Sequence, residues 1–231
     1  MQEIRTVTVN RREIPVLISD EKEALLAAKT AGRAIVGLWR PGQEMEEISA
    51  ARYVVENLAD VTEEFLDRVA RRHLGLPWHI CETERLVIRE MFADDFDEVW
   101  TNQIGLGLNS VEELQAYTKN QYVFYEFGIW ALVEKESGEL VGVAGLKVPE
   151  EIESDHVDEL VLDVGMGRET LELGYHIFSR FRRKGYAKEA CEAVIRYGVC
   201  ELGVGQFLVR IDKENIVSKR LAEGLGFFAG N

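Results

Sequence analysis

Residues 180–187 read Arg-Phe-Arg-Arg-Lys-Gly-Tyr-Ala. Four cations, Arg180, Arg182, Arg183 and Lys184, fall within five positions and run directly into Gly185. The surrounding chain is acidic, with 41 carboxylates against 27 bases and a net charge of −14. After Gly185, the residues Ala187, Ala190, Cys191, Val194, Ile195 and Gly198 recur at helical spacing and predict a helix with one buried face. The first turn of a helix has free backbone N–H groups and the positive end of the dipole. A glycine there lets a ligand approach the backbone, and neighbouring cations add charge. The combination suits an anion such as a pyrophosphate; a basic turn on a solvated surface is the plain alternative.

Two further sets of residues could do chemistry. "ETLELGYHIF" (169–178) reads as a strand leading into the basic turn, and it carries Glu172, Tyr175, His176 and Ile177. Glu172 could accept a proton or sit in a salt bridge, and His176 is a second candidate base. "NIVSKRLAEGLGFF" (215–228) reads as a short helix with Leu221 and Leu225 buried, ended by Gly226, and it places Asn215 and Ser218 at its start. Metal chemistry is not expected. The histidines (His73, His79, His156, His176) are scattered, and Cys81, Cys191 and Cys200 lack a paired spacing, so the expectation is reduced thiols in a cytoplasmic protein. The acidity argues against nucleic-acid binding. No apolar run approaches membrane-spanning length, so no membrane partner is expected.

These residues need elements to hold them. Residues 1–80 carry a net charge of −2 and residues 81–231 one of −12, and with a change in texture this predicts two units, 1–80 and 81–231. The first reads as a small α/β domain. It has strands at 14–19, 34–39 and 52–58, a helix after Asp20 with Asp20 as cap and Glu23 as capping-box partner, and a helix after Thr62; a short parallel sheet is expected. The second opens on a strand around Leu86 and Ile88. Helices follow, capped by Asp94 or Asp95 and by Ser110 with Glu113. A hairpin joins strands 127–134 and 139–148, and a strand covers 206–212. Between hairpin and basic turn, residues 150–163 hold seven acids and no Lys or Arg. A solvated loop or insertion is expected there, with a patch for a cationic substrate as the sharper reading.

Three motifs in order resemble the GNAT N-acetyltransferases. Arg182-x-x-Gly185-x-Ala187 matches that superfamily's Arg/Gln-x-x-Gly-x-Gly/Ala motif, and Asn215-x-x-Ser218-x-x-Leu221 with the following Leu-Gly-Phe matches a second. "ETERLVIREM" (82–91) is similar to the first strand of the branch that acetylates ribosomal-protein N-termini. The resemblance covers roughly residues 82–228. It implies an α/β fold with a mixed β-sheet flanked by helices, acetyl-CoA as co-substrate and transfer to an amine acceptor, with a homodimer left open. It implies that Tyr175, His176 and Ile177 hold the pantetheine arm and that Arg182, Arg183, Lys184, Gly185, Tyr186 and Ala187 hold the pyrophosphate. Asn215 would contact the cofactor, Ser218 would protonate the leaving thiolate and Glu172 would act as base. The family continues past Leu-Gly-Phe into a closing strand, which is short or missing in a chain whose last residues are "FFAGN". A catalytically impaired acyl-CoA-binding regulatory protein is the alternative. Residues 14–70 separately resemble the C-terminal part of haloacid-dehalogenase-like phosphatases, without the Asp-x-Asp nucleophile motif, so phosphatase chemistry is not implied.

Overall fold

The structure, a computed structural model, describes residues 1–102, 107–150, 156–165, 167 and 169–229. The chain divides into two compact units, Met1–Trp78 and His79–Asn231.

In the first unit, β1 (Gln2–Val9) and β2 (Arg12–Ser19) form an antiparallel hairpin in which Val9 faces Arg12. Asn10 and Arg11 make the turn, both with positive φ (49° and 65°), as a tight hairpin requires. Helix α1 (Lys22–Thr30), strands β3 (Ala34–Leu38) and β4 (Tyr53–Val55) and helix α2 (Glu63–His73) follow. The sheet order is β1-β2-β3-β4, with β2, β3 and β4 parallel. The expected parallel sheet is therefore extended by an antiparallel strand. β1 escaped notice because its inward positions are only half-buried and its sequence, QEIRTVTV, has no apolar run. Thr62 caps α2 as expected, its hydroxyl accepting from the Phe65 amide at 3.1 Å. Asp20 does not cap α1. The carboxylate is taken by the Met1 ammonium and by Arg40 Nε, leaving Glu21 at the N-cap, where its side chain makes no capping bond.

Among the described residues the second unit is an eight-stranded mixed sheet with helices. Its strands are β5 (His79–Glu82), β6 (Leu86–Arg89), β7 (Ile129–Glu134), β8 (Leu140–Lys147), β9 (Val157–Asp163), β10 (Glu169–Ile177), β11 (Val204–Asp212) and β12 (Phe228–Ala229). Helices α3 (Phe96–Thr101) and α4 (Val111–Tyr125) lie between β6 and β7, α5 (Tyr186–Cys200) between β10 and β11, and α6 (Ile216–Gly224) before β12. The spatial order is β12-β9-β11-β10-β8-β7-β6-β5. Trp130 and Tyr197 meet edge to face at 5.3 Å, joining β7 to α5. Gly198 sits where α5 crosses Phe207; a Cβ there would lie 2.8 Å from the ring, so only glycine permits this approach. Ser110 caps α4 through the Glu113 amide, while the Glu113 carboxylate accepts from the Asn109 amide. Asp95 caps the turn ahead of α3 at the Phe92 amide and grips Arg89 with both oxygens, at 2.7 and 2.8 Å.

Two expectations fail here. Residues 157–163 are strand β9, inserted between β11 and β12, not a loop; residues 151–155 lie outside the described residues. Leu160 and Leu162 pack against the core, and the acids of the strand are spent locally. Asp158 pairs with Lys219, Glu159 with Arg210 at 3.3 Å, and Asp163 accepts from the Gly165 amide at 2.8 Å. These three carboxylates are engaged within the fold, while Glu151, Glu153 and Asp155 of the expected acidic patch lie outside the described residues. In α6 the fully buried residue is Ala222, with Phe227 just beyond; Leu221 and Leu225 are only half-buried, because the short helix turns its smallest side chain to the sheet.

Strand β9 pairs with β11 from Val157 to Asp163 and with β12 only at Leu160 and Val161, so those of its amides that bond to β11 should resist hydrogen exchange as long as the β11 amides they face. Exchange on the timescale of an exposed loop, followed by NMR, would contradict this placement.

Candidate active site

The site starts from a break in pairing. β10 and β11 pair in parallel only from Glu169 to Glu172, opposite Val204 to Leu208, with a shift of register between Glu169 and Thr170. Beyond that point β10 stays with β8 from Glu172 to Ile177, whereas β11 stays with β9 as far as Asp212. A cleft opens between residues 173–177 and 209–212. The Phe178 amide donates to Val141 O at 3.0 Å. Since the paired groups of an antiparallel strand alternate, the amides and carbonyls of Leu173, Tyr175 and Ile177 point away from β8, into the cleft. A sheet that opens in this way presents a strand edge to which an extended polar ligand can bond.

At the end of β10 the chain makes a 3-10 turn (Ser179–Phe181), then the basic turn, then α5. Arg183 and Gly185 both adopt left-handed backbone, with φ of 63° and 87°. Gly185 does so freely, whereas Arg183 bears the steric cost of its Cβ. The four cations are not equivalent. Arg180 pairs with Glu98 at 3.1 Å, and Arg182 Nε folds back to Ile177 O at 3.0 Å. Lys184 lies over the Phe181 ring at 5.2 Å, and Arg183 and Lys184 are exposed. Tyr186 is buried with its hydroxyl on the Glu134 carboxylate, so its side chain is committed to the fold. Ala187 is half-buried in the first turn of α5.

A buttress that sequence reading missed fixes this turn. Arg85, in the loop before β6, donates to Lys184 O at 2.8 Å and to Glu189 Oε2 at 2.7 Å, and lies 4.7 Å from the Tyr186 ring centroid. Glu189 also accepts from the Arg85 amide and the Thr83 hydroxyl. Burial alone would raise the Glu189 pKa. The bonds from Thr83 and from the Arg85 backbone and guanidinium outweigh it and hold the carboxyl below the ordinary range. The only trace in the sequence was an acid in the first turn of a helix.

The remaining residues flank the cleft. At its apex Glu172, 6% exposed, accepts from Lys147 Nζ at 3.0 Å and Arg210 Nη1 at 2.7 Å. Lys147 sits directly opposite it on β8, and Arg210 reaches across from β11, where it also meets Glu159. Taking a proton on Glu172 would cost both ion pairs. His176, on the same face, is half-buried, and burial and then Arg182 lower its pKa, so it is neutral at pH 7. Tyr175 lies on the opposite face, under α5. Asn215 caps α6 by accepting from the Ser218 amide at 3.1 Å, which commits its Oδ1. Ser218 is half-buried in the first turn of α6, close to the Tyr175 hydroxyl. The structure thus brings the strand edge, the basic turn and the start of α6 together around one cleft.

Residues 85–228 match the family model described as "Acetyltransferase (GNAT) domain". This chain belongs to the GNAT acetyltransferase family. Among curated relatives of this acetyltransferase, YkkB of Bacillus subtilis is 33% identical over 102 residues, 44% of this chain and 51% of that protein. YnaD of the same organism, called an N-acetyltransferase, is 28% identical over 144 residues, covering 62% of this chain and 79% of that one. The alignment to YkkB therefore spans about half that relative's length. A GnaT-family acetyltransferase structure from Bordetella pertussis superposes with a TM-score of 0.52 at 21% identity, over 67% of this chain and 91% of that one, and shares the fold.

Because Glu189 has a depressed pKa when folded, its contribution is complete above the ordinary glutamate value of 4.5 and disappears as pH falls through the lower folded value. Glu189→Gln should therefore lower the melting temperature at neutral pH, and the gap to the unaltered protein should narrow as pH falls to about 3. A gap independent of pH in thermal melts would refute a charged role for Glu189.

Proposed function

We propose that this acetyltransferase moves an acetyl group from acetyl-CoA to a primary amine by direct attack on the thioester, with the cofactor lying in the cleft between β10 and β11. The observation that carries this reading is the loss of β10–β11 pairing after Glu172, which frees a strand edge leading straight to a basic turn and a helix N-terminus. The backbone of Tyr175 and the amide of Ile177 would bond the pantetheine arm, whereas the backbone of His176 is turned to β8 and leaves only its side chain for the site. The amides of residues 183–187, with Arg183 and Lys184 beside them, would take the pyrophosphate. Asn215, its Oδ1 occupied by the cap, would offer its Nδ2 donors to the cofactor arm.

The chemistry then needs three things: a donor for the oxyanion, an acceptor for the amine proton and a donor for the thiolate. An amide of β10 facing the cleft serves the first. The amine lone pair attacks the carbonyl carbon, the tetrahedral intermediate collapses, and the C–S bond breaks to leave an amide and a thiolate. Ser218 would donate to that thiolate. Glu172, expected as the base, is better read as the ion-paired apex of the cleft. His176, neutral and on the same face, would take the amine proton. The acceptor is a protein N-terminus or a small-molecule amine; the similarity of residues 82–91 to the ribosomal-protein branch favours the former. The first unit is read as an accessory domain without phosphatase chemistry.

Two outcomes test this reading. Acetyl-CoA should bind the unaltered protein in calorimetry. Arg183→Glu and Gly185→Asp should each stay folded, at a cost of about 1–2 kcal/mol. Removing two charge-assisted contacts should weaken binding by roughly a hundredfold or more; unchanged affinity in both would reduce the basic cluster to a solvated turn. In a thiol-release assay against a panel of amines and peptides with free N-termini, kcat/KM should fall at acid pH with a midpoint below the ordinary imidazole value of 6.5. His176→Gln should lose that limb, and a profile that survives the change would remove His176 as base.

A further inference from the structure

A buried polar group without a partner calls for an explanation. Among the described residues Tyr175 Oη is such an atom: it is buried and meets no partner at full hydrogen-bond geometry. Tyr175 stands on the stretch of β10 that has left β11, so its side chain passes beneath α5, beside Cys191, on the cofactor side of the cleft. The hydroxyl within its reach is Ser218, in the first turn of α6. The two hydroxyls therefore come near each other from different elements, Tyr175 on β10 and Ser218 on α6.

We propose that Tyr175 is a positioning residue for Ser218, donating its phenolic proton in a hydrogen bond to Ser218 Oγ so that the Ser218 hydroxyl hydrogen is directed at the cofactor sulfur. This rests on the reading above that Ser218 serves the leaving thiolate. A serine hydroxyl can donate one hydrogen and accept two. Left alone, its hydrogen rotates to whichever acceptor is nearest. With the phenol filling an acceptor site, the hydrogen is free for the sulfur, and the donor chain Tyr175 O–H to Ser218 O–H to S strengthens along its length. No proton need leave Tyr175. Burial, moderated by Ser218, holds the phenol above its ordinary range, so it stays a donor throughout the working pH range.

Coenzyme A itself is the probe, so that no acceptor is needed. Its thiolate absorbs in the ultraviolet, and the pH midpoint of that absorbance reads the stabilisation of the bound thiolate. Ser218→Ala should raise the midpoint by roughly one unit, the worth of one hydrogen bond to a charged group. Tyr175→Phe should raise it by about half a unit, while calorimetry shows coenzyme A affinity within a few-fold of the unaltered protein. The double variant should shift no further than Ser218→Ala alone, because the phenol acts through the serine. A shift in Ser218→Ala with none in Tyr175→Phe, or two shifts that add, would overturn the positioning role and leave the Ser218 reading intact. No shift in Ser218→Ala would sink that reading and this proposal together. A Tyr175→Phe protein that loses coenzyme A affinity more than tenfold would also overturn it, since the phenol would then be holding the cofactor.

Discussion

The Glu172–Arg210 ion pair marks the place on which the rest of the site depends. At 2.7 Å, with both side chains largely buried, it joins β10 to β11 at the last point where the two strands are paired. Lys147 supports it from β8 and Glu159 from β9, so a row of alternating charge crosses four strands at the apex of the cleft. Removing one member of a buried pair leaves a charge without compensation, at a cost of several kcal/mol. Upstream of the row the sheet is continuous. Downstream, each strand is held by its outer neighbour and not by the other. The opening is thus a built feature with a fixed starting point, not fraying at a sheet end.

Everything that would touch a cofactor hangs from that opening. β10 turns alternate amides into it, because β8 has claimed the others. The chain then enters a turn with two left-handed residues, and the conformational cost at Arg183 is met by Arg85, which ties Lys184 O to Glu189 and stacks on Tyr186. α5 begins at the exit, and Gly198 near its other end lets it lie close on Phe207. On the far wall β11 keeps its place because β9 pairs with it along its whole length past the fork. The acids of β9 serve this role locally: Glu159 reaches Arg210, and Asp158 fastens Lys219 at the start of α6. The second half of the acidic stretch read as a loop, Val157–Asp163, is the strand that keeps the cleft's second wall in line.

Much of this was legible in the residues. Helical spacing after Gly185, hydroxyl caps at Thr62 and Ser110 and the hairpin around Gly138 are local signals, and local signals survive because a cap or a turn is satisfied by neighbours in the chain. The basic turn against a glycine was legible for the same reason. β1 and β9 were not, since their residues look polar until a partner strand covers one side. Asp20 and Asp95 were misjudged in part because a carboxylate that could cap a helix can also find a cation elsewhere, and only the folded chain offers Arg40 or Arg89.

The sequence by itself determined that an acidic chain carries one concentrated cationic turn before a helix, and that Asn215 and Ser218 open another. The motifs in that order pointed to the family that the comparison with known proteins assigns. The tertiary structure decided the rest. It paired Glu172 with Lys147 and Arg210, buried Tyr186 and brought Tyr175 near Ser218, 43 residues later in the chain. It also placed β9 beside β11 and parted β10 from β11 after four residues. The physical reason is the same in each case. A motif depends on the order of residues along the chain, whereas a charge pair, an orphaned hydroxyl or a broken ladder depends on what arrives from elsewhere in space.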